Sequence, residues 1–267
     1  MEQQHSVWLG SLRKPVRAAM IGFSGLTIAL SIYLIFNSSI GMHEMIRPQG
    51  KPIVIVTLIS FALALLFASL YLSDDRGLIE PERTGPFDIL SLVCSRLAML
   101  SIAIVVIVMF YEVVSRYAFN APTMWANELS LWIAAFLFML AGLYAMQQRS
   151  HIRIYVIYDI MPRWMQKASD CMSVFLIWVF TACLIYGGYN DAVRRMLRME
   201  TFGTAWDPPL PGTVKPMILI VILLVAIQAL SNLIADWNKA PEHHSPADEI
   251  DEHEIELIRR TLEQDKK

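Results

Sequence analysis

The chain has 267 residues, of which 55% are hydrophobic and only 17% charged, with a formal net charge of −2. Soluble domains carry about 25% charged residues, and a nucleic-acid surface must be basic, so the composition argues against a soluble enzyme and against a nucleic-acid partner. Its charges are also unevenly spread. Six stretches of 15 to 20 residues, at 18–36, 53–72, 97–111, 129–146, 171–189 and 217–235, contain none at all.

A helix rises about 1.5 Å per residue and a hydrocarbon core is about 30 Å thick, so each stretch matches a membrane crossing. Lipid offers the backbone no hydrogen-bond partner, so the crossings must be helices. The sequence therefore predicts an all-α membrane protein with six transmembrane helices and no soluble domain of its own. The first run follows Arg13, Lys14 and Arg17 and superficially resembles a signal peptide. It is longer than a signal core of roughly 7–15 residues and lacks a clear cleavage site, which favours a retained helix.

Residues 1–75 read as a helical hairpin, with a turn-forming loop at 37–52. Asp74, Asp75, Gly77, Pro81, Gly85 and Pro86 then suggest a linker, placed at 76–86. The third span starts near Phe87, and Arg96 and Glu112 bracket its charge-free stretch. Their separation lets each snorkel to an opposite interface, so neither need be buried. The fourth span begins after Pro122. The segment 147–170 mixes Arg149, His151, Arg153, Arg163 and Lys167 with Tyr155, Tyr158 and Trp164, which suits helical pieces in the headgroup layer, broken at Pro162. The longest loop between spans is expected at 190–215, with a proline-rich second half at 206–211. Gln228, Ser231 and Asn232 are the polar residues of the last span. In the tail, 238–267, Ser245, Pro246, Asp248 and Glu249 form a helix-start signal before Ile255, Ile258 and Leu262; a frayed charged tail is the alternative.

With alternating spans and both termini on the cytoplasmic side, the inner segments hold Arg13, Lys14, Arg17, Arg76, Arg83, Arg96, Arg149, Arg153, Arg163, Lys167 and Lys239 near the membrane. The outer ones hold Arg47, Lys51, Arg116, Arg194, Arg195, Arg198 and Lys215. That excess favours N-in and C-in, with the cluster at 194–198 dissenting.

Chemistry within the spans is sparse. Haem ligation uses inward-facing His or Met, and none of the six histidines lies in a charge-free stretch. Intramembrane proteolysis needs a nucleophile with a base or paired carboxylates, and ion pumping normally places charge at depth. Ser and Thr in such helices usually bond a preceding carbonyl, and Cys94, Cys171 and Cys183 read as small packing residues. No cofactor and no metal is expected, and the chain reads as a non-catalytic helper subunit. A membrane anchor for a redox enzyme is the alternative.

Between the third and fourth spans stand Arg116, Tyr117, Phe119, Asn120, Pro122, Trp125, Glu128, Leu129 and Trp132. This run resembles the Arg-Tyr-x-Phe-x-x-Pro-x-x-Trp-x-x-Glu-Leu pattern of the DctQ-like small membrane subunit of tripartite ATP-independent periplasmic (TRAP) transporters. Arg149-x-His151-Ile152-Arg153-Ile154 and Trp206-Asp207-Pro208-Pro209-Leu210-Pro211 agree in order and spacing. The resemblance covers about 87–237, identified as a four-helix core, and leaves the hairpin as an addition. Where the family often has an Asp after His-h-x-h, this chain has Tyr155, with an acid only at Asp159.

The resemblance implies a bacterial inner-membrane protein that braces a large elevator-type subunit of about twelve spans and helps a periplasmic binding protein dock, for sodium-coupled uptake of an organic acid. Trp125, Glu128 and Trp132 share a helix face. They read either as a contact surface with Arg116, Phe119, Asn120 and Pro122, in which Glu128 pairs Arg116, or as a headgroup-level belt. Arg149, His151 and Arg153 read as an interfacial segment or as a lipid or subunit contact. Arg194, Arg195 and Arg198 read as a solvated cluster or as a docking site for the binding protein.

Overall fold

A computed structural model describes residues 8–36, 41–48, 50–75, 85–148, 158 and 161–238. A 3-10 turn at Gly10–Leu12 leads into α1 (Arg13–Phe36), followed by a short α2 (Met42–Ile46) and α3 (Pro52–Leu72). Then come α4 (Pro86–Ala118), α5 (Ala126–Gln147), α6 (Arg163–Leu197) and α7 (Leu210–Asp236). Among the described residues there is no strand, and the six long helices are each long and apolar enough to cross a membrane. The expected all-α membrane fold is the one observed.

Prolines set several starts. Pro52 and Pro86 occupy first helical positions, where the missing amide is no loss, and Pro162 immediately precedes α6. Asp88 in the first turn of α4 and Arg116 in its last turn both oppose the local end of the helix dipole. At 33 and 35 residues, α4 and α6 are about 50 Å long and overrun a bilayer. The helix in α6 continues through Leu197, so the loop expected over 190–215 shrinks to 198–209.

The helices pack as a row, in the order α1, α3, α4, α5, α7, α6, with a lesser contact between α4 and α7. In each span only between 6% and 28% of the most apolar window is buried within the chain, so the broad faces of the row lie open. Chain direction alternates, giving a near end, where the described chain starts and finishes, and a far end holding the α1–α3, α4–α5 and α6–α7 connections.

At the near end Asp74 is buried and its Oδ1 accepts from the Trp8 and Leu9 amides at 2.8 and 2.9 Å. Arg13 reaches Asp74 at 3.3 Å and Asp75 at 2.7 Å. Asp74 and Asp75, just before the expected linker, thus tie down the chain that leads into the first helix, while 76–84 lies outside the described residues, as do 149–157 and the tail at 239–267. Deeper in the hairpin the Thr27 and Ser60 hydroxyls meet at 2.8 Å and Phe23 stacks on Phe67. Thr57, Ser69 and Ser101 bond the carbonyl four residues back, as expected. Cys171 and Cys183 are exposed, so the packing role expected of all three cysteines fits only the half-buried Cys94.

Gln228 is the main polar joint of α4, α5 and α7. It accepts from Ser91 at 3.0 Å, donates to Asp88 at 2.7 Å and to Asn232 at 3.0 Å, and Asn232 donates to the Met146 carbonyl at 2.7 Å. Buried polar groups hold their place only when so paired.

Candidate subunit interface

The far end is knit by several carboxylates. Glu112, on the last turns of α4, is only 4% exposed. It accepts from Arg116 Nε at 3.0 Å and from Arg116 Nη2, and its other oxygen accepts from the Thr123 amide at 3.0 Å and the Thr123 hydroxyl. Asn120 turns the chain at φ +49°, and Tyr111 stacks on Trp125 with centroids 5.7 Å apart. The bound Glu112 corrects the expectation that it need not be buried: the loop folds back and supplies donors that water would otherwise supply.

Glu128, in the first turn of α5, does not pair with Arg116 as expected. Its oxygens accept from the Thr204 hydroxyl at 2.7 Å and, at a long 3.5 Å, from the Trp206 amide. Arg116 is already held one helical turn from Glu112, so Glu128 serves the α6–α7 loop instead. Trp132 donates to Thr213 Oγ1 at 2.8 Å and lies edge-on to Trp206. The shared face of Trp125, Glu128 and Trp132 is therefore turned largely to this chain's own loops, and all three are half-buried.

A third carboxylate, Asp191, accepts from Arg194 and Arg195, both at 2.9 Å, and from Lys215 at 2.6 Å; Arg195 also reaches Glu200. Arg195 is thus spent inside the fold, while Arg194 and Arg198 are exposed. Gly212 lets α7 approach this loop closely, since a Cβ there would stand 3.0 Å from the Glu200 amide.

Trp206 is 5% exposed and its Nε1 donates to the Met42 carbonyl at 3.0 Å. Asp207 accepts from the Gly203 amide at 2.8 Å and pairs with Arg47 at 2.8 Å. The Gly203 amide above all, with Arg47, holds the Asp207 carboxyl below its ordinary range. The Gly41 amide likewise lowers Glu44, which also meets Lys51 at 3.3 Å.

What the far end leaves open is an apolar and basic rim: Tyr117, Phe119 (74% exposed) and Met124 from the α4–α5 side, Leu197, Met199 and Phe202 from the α6–α7 side. Asn120 and Pro122 are exposed beside them. Arg149, His151 and Arg153 lie outside the described residues. The sequence reading missed Glu112, Asp191, Lys215 and Thr123 as joints. The i, i+4 spacing of Glu112 with Arg116 and of Asp191 with Arg195 was the available signal. Among the described residues no group of three or more His, Cys, Asp or Glu could hold a metal.

These features define a multi-pass helical membrane protein with open apolar faces and loops braced at one end. Over residues 105–239 it matches the family model for the DctQ component of tripartite ATP-independent periplasmic transporters. The match takes in just over half the chain, from within α4 through α7, and the chain belongs to this family: it is a small membrane component of a TRAP transporter. Comparison of the sequence with curated proteins gives no match.

Proposed function

We infer that this subunit is non-catalytic, that it braces the large elevator-type permease subunit of about twelve spans, and that its far end helps a periplasmic binding protein dock during sodium-coupled uptake of an organic acid. The observation that carries the reading is the open row of helices, whose spans bury at most 28% of their apolar windows on one another. An unclosed row offers wide, lipid-compatible packing area to a second membrane protein. Among the described residues the ion pairs gather at the two ends.

The orientation follows the basic residues: near end and termini cytoplasmic, far end periplasmic, in a bacterial inner membrane. Residues 1–75 form an added hairpin joined through 76–86 to a four-helix core at 87–237, with 238–267 as a charged tail. On the far end Arg116, Phe119, Asn120 and Pro122 contact the large subunit, together with the exposed edges of Trp125, Glu128 and Trp132. Arg149, His151 and Arg153 meet lipid or the large subunit at the inner interface. Within the basic cluster the docking charge falls to Arg198 and to Arg194, which meets Asp191 but is 61% exposed, whereas Arg195, held by both Asp191 and Glu200, is 26% exposed.

Affinity purification of the tagged chain from native membranes tests the bracing. A co-purifying large permease subunit is the expected result; a chain that elutes alone from gentle detergent in every preparation contradicts it.

A further inference from the structure

The α6–α7 loop, 198–209, is held from three sides. Glu128 of α5 binds Thr204 and the Trp206 amide. The first turn of α7 closes on it through Gly212, whose amide donates to the Glu200 carbonyl at 3.1 Å. The third side is the turn of the added hairpin: the Met42 carbonyl takes the Trp206 indole N–H, and Arg47 takes Asp207, across 164 and 160 sequence positions. The first two supports lie inside the family match at 105–239 and the third lies outside it.

The loop needs that support. Met199 at φ +45° and Asp207 at φ +58° occupy the left-handed region without being glycine, and Gly203 stands at φ +81°. Such conformations persist only where the surroundings over-determine them. Asp207 sits at the crossing point. One of its oxygens closes the local turn on the Gly203 amide while the other meets Arg47, so the hairpin grips the carboxylate that shapes the loop. Around this fixed centre Leu197, Met199 and Phe202 remain exposed.

We propose that the hairpin's turn is a clamp that pre-organises the 198–209 loop, with Arg47 and the Met42 carbonyl as positioning groups for Asp207 and Trp206. The hairpin thereby fixes the outward shape of a loop that belongs to the family core. The clamp stands on these contacts alone; its bearing on partner affinity rests on the docking reading above.

Hydrogen–deuterium exchange of the full-length chain in lipid nanodiscs tests it. Arg47→Ala removes a partly exposed ion pair, so exchange over 199–208 rises about two- to fivefold. Arg47→Lys restores protection to within about twofold of wild type, since Lys keeps the charge. Trp206→Phe keeps an aromatic ring but loses the fused pyrrole ring with its N–H, and accelerates both 41–48 and 199–208. Arg13→Ala, which loosens the hairpin at the opposite end, leaves 199–208 unchanged. Unaltered exchange in Arg47→Ala and Trp206→Phe, or equal acceleration by Arg13→Ala, overturns the clamp. Affinity for the binding protein is measured on the same Arg47→Ala sample. Faster exchange with weaker binding supports both readings, and faster exchange with unchanged binding keeps the clamp and refutes the docking role.

Discussion

Replacing Glu112 by alanine probes the far end most sharply, because one buried carboxylate there receives four hydrogen bonds from only two residues. Truncation leaves the Thr123 amide and hydroxyl without an acceptor, at about 1–3 kcal/mol for each group that stays dry. Thr123 is half-buried, so the lower half of that range applies to each. Arg116 is 51% exposed and turns to water, adding about 0–1 kcal/mol. The sum is about 2–5 kcal/mol for Glu112→Ala. Arg116→Ala leaves Glu112 with both Thr123 donors and costs about 1–2 kcal/mol, and Glu112→Gln, which keeps shape but loses charge, falls between them. At roughly 2–4 °C per kcal/mol for a chain of this size, Glu112→Ala lowers the thermal midpoint by roughly 4–20 °C. The assay is loss of monodisperse full-length protein on heating in one detergent, for all three variants. A midpoint for Glu112→Ala within about 1 °C of wild type, or Arg116→Ala falling further than Glu112→Ala, refutes Glu112 as the hub.

Other joints give further tests. Gln228→Leu suits lipid better but strips Asp88 and Asn232 of a partner, so it destabilises by about 1–3 kcal/mol; adding Ser91→Ala to it costs less than the sum of the two single changes, read from the same heating assay. Glu128→Ala frees Thr204 and weakens co-purification of the large subunit several-fold, whereas undiminished recovery would count against the far end as a contact surface. For Asp207 the folded-state pKa is depressed, so its stabilisation is fully present above the ordinary value of 3.8 and is lost as pH falls through the folded pKa. Wild type therefore melts above Asp207→Asn at pH 7, and the gap narrows toward pH 3; a gap independent of pH contradicts the assignment.

The spans were readable because bilayer thickness imposes a length on any charge-free run, and every such run is a helix here. Their arrangement was not. Lipid tails are as apolar as leucine, so a run such as 53–72 carries no pattern that separates a packed face from a lipid face. The joints divide similarly. Glu112 with Arg116 was legible as an i, i+4 pair, yet Glu112 sits one residue past the charge-free run and reads as a snorkelling end. The partners of Glu128 lie 76 and 78 positions away, and Arg47 with Asp207 is more distant still. Nothing local announces such pairs. Trp206 and Asp207 stood out as part of a motif, but only the fold brings the hairpin's turn against them.

The bracing account is tested most directly by reconstitution in liposomes under an inward sodium gradient, with labelled organic acids outside. Uptake is expected only when this chain, the large subunit and the binding protein are all present, and none from this chain alone. Sodium-driven uptake by the purified chain without its partners would contradict the account.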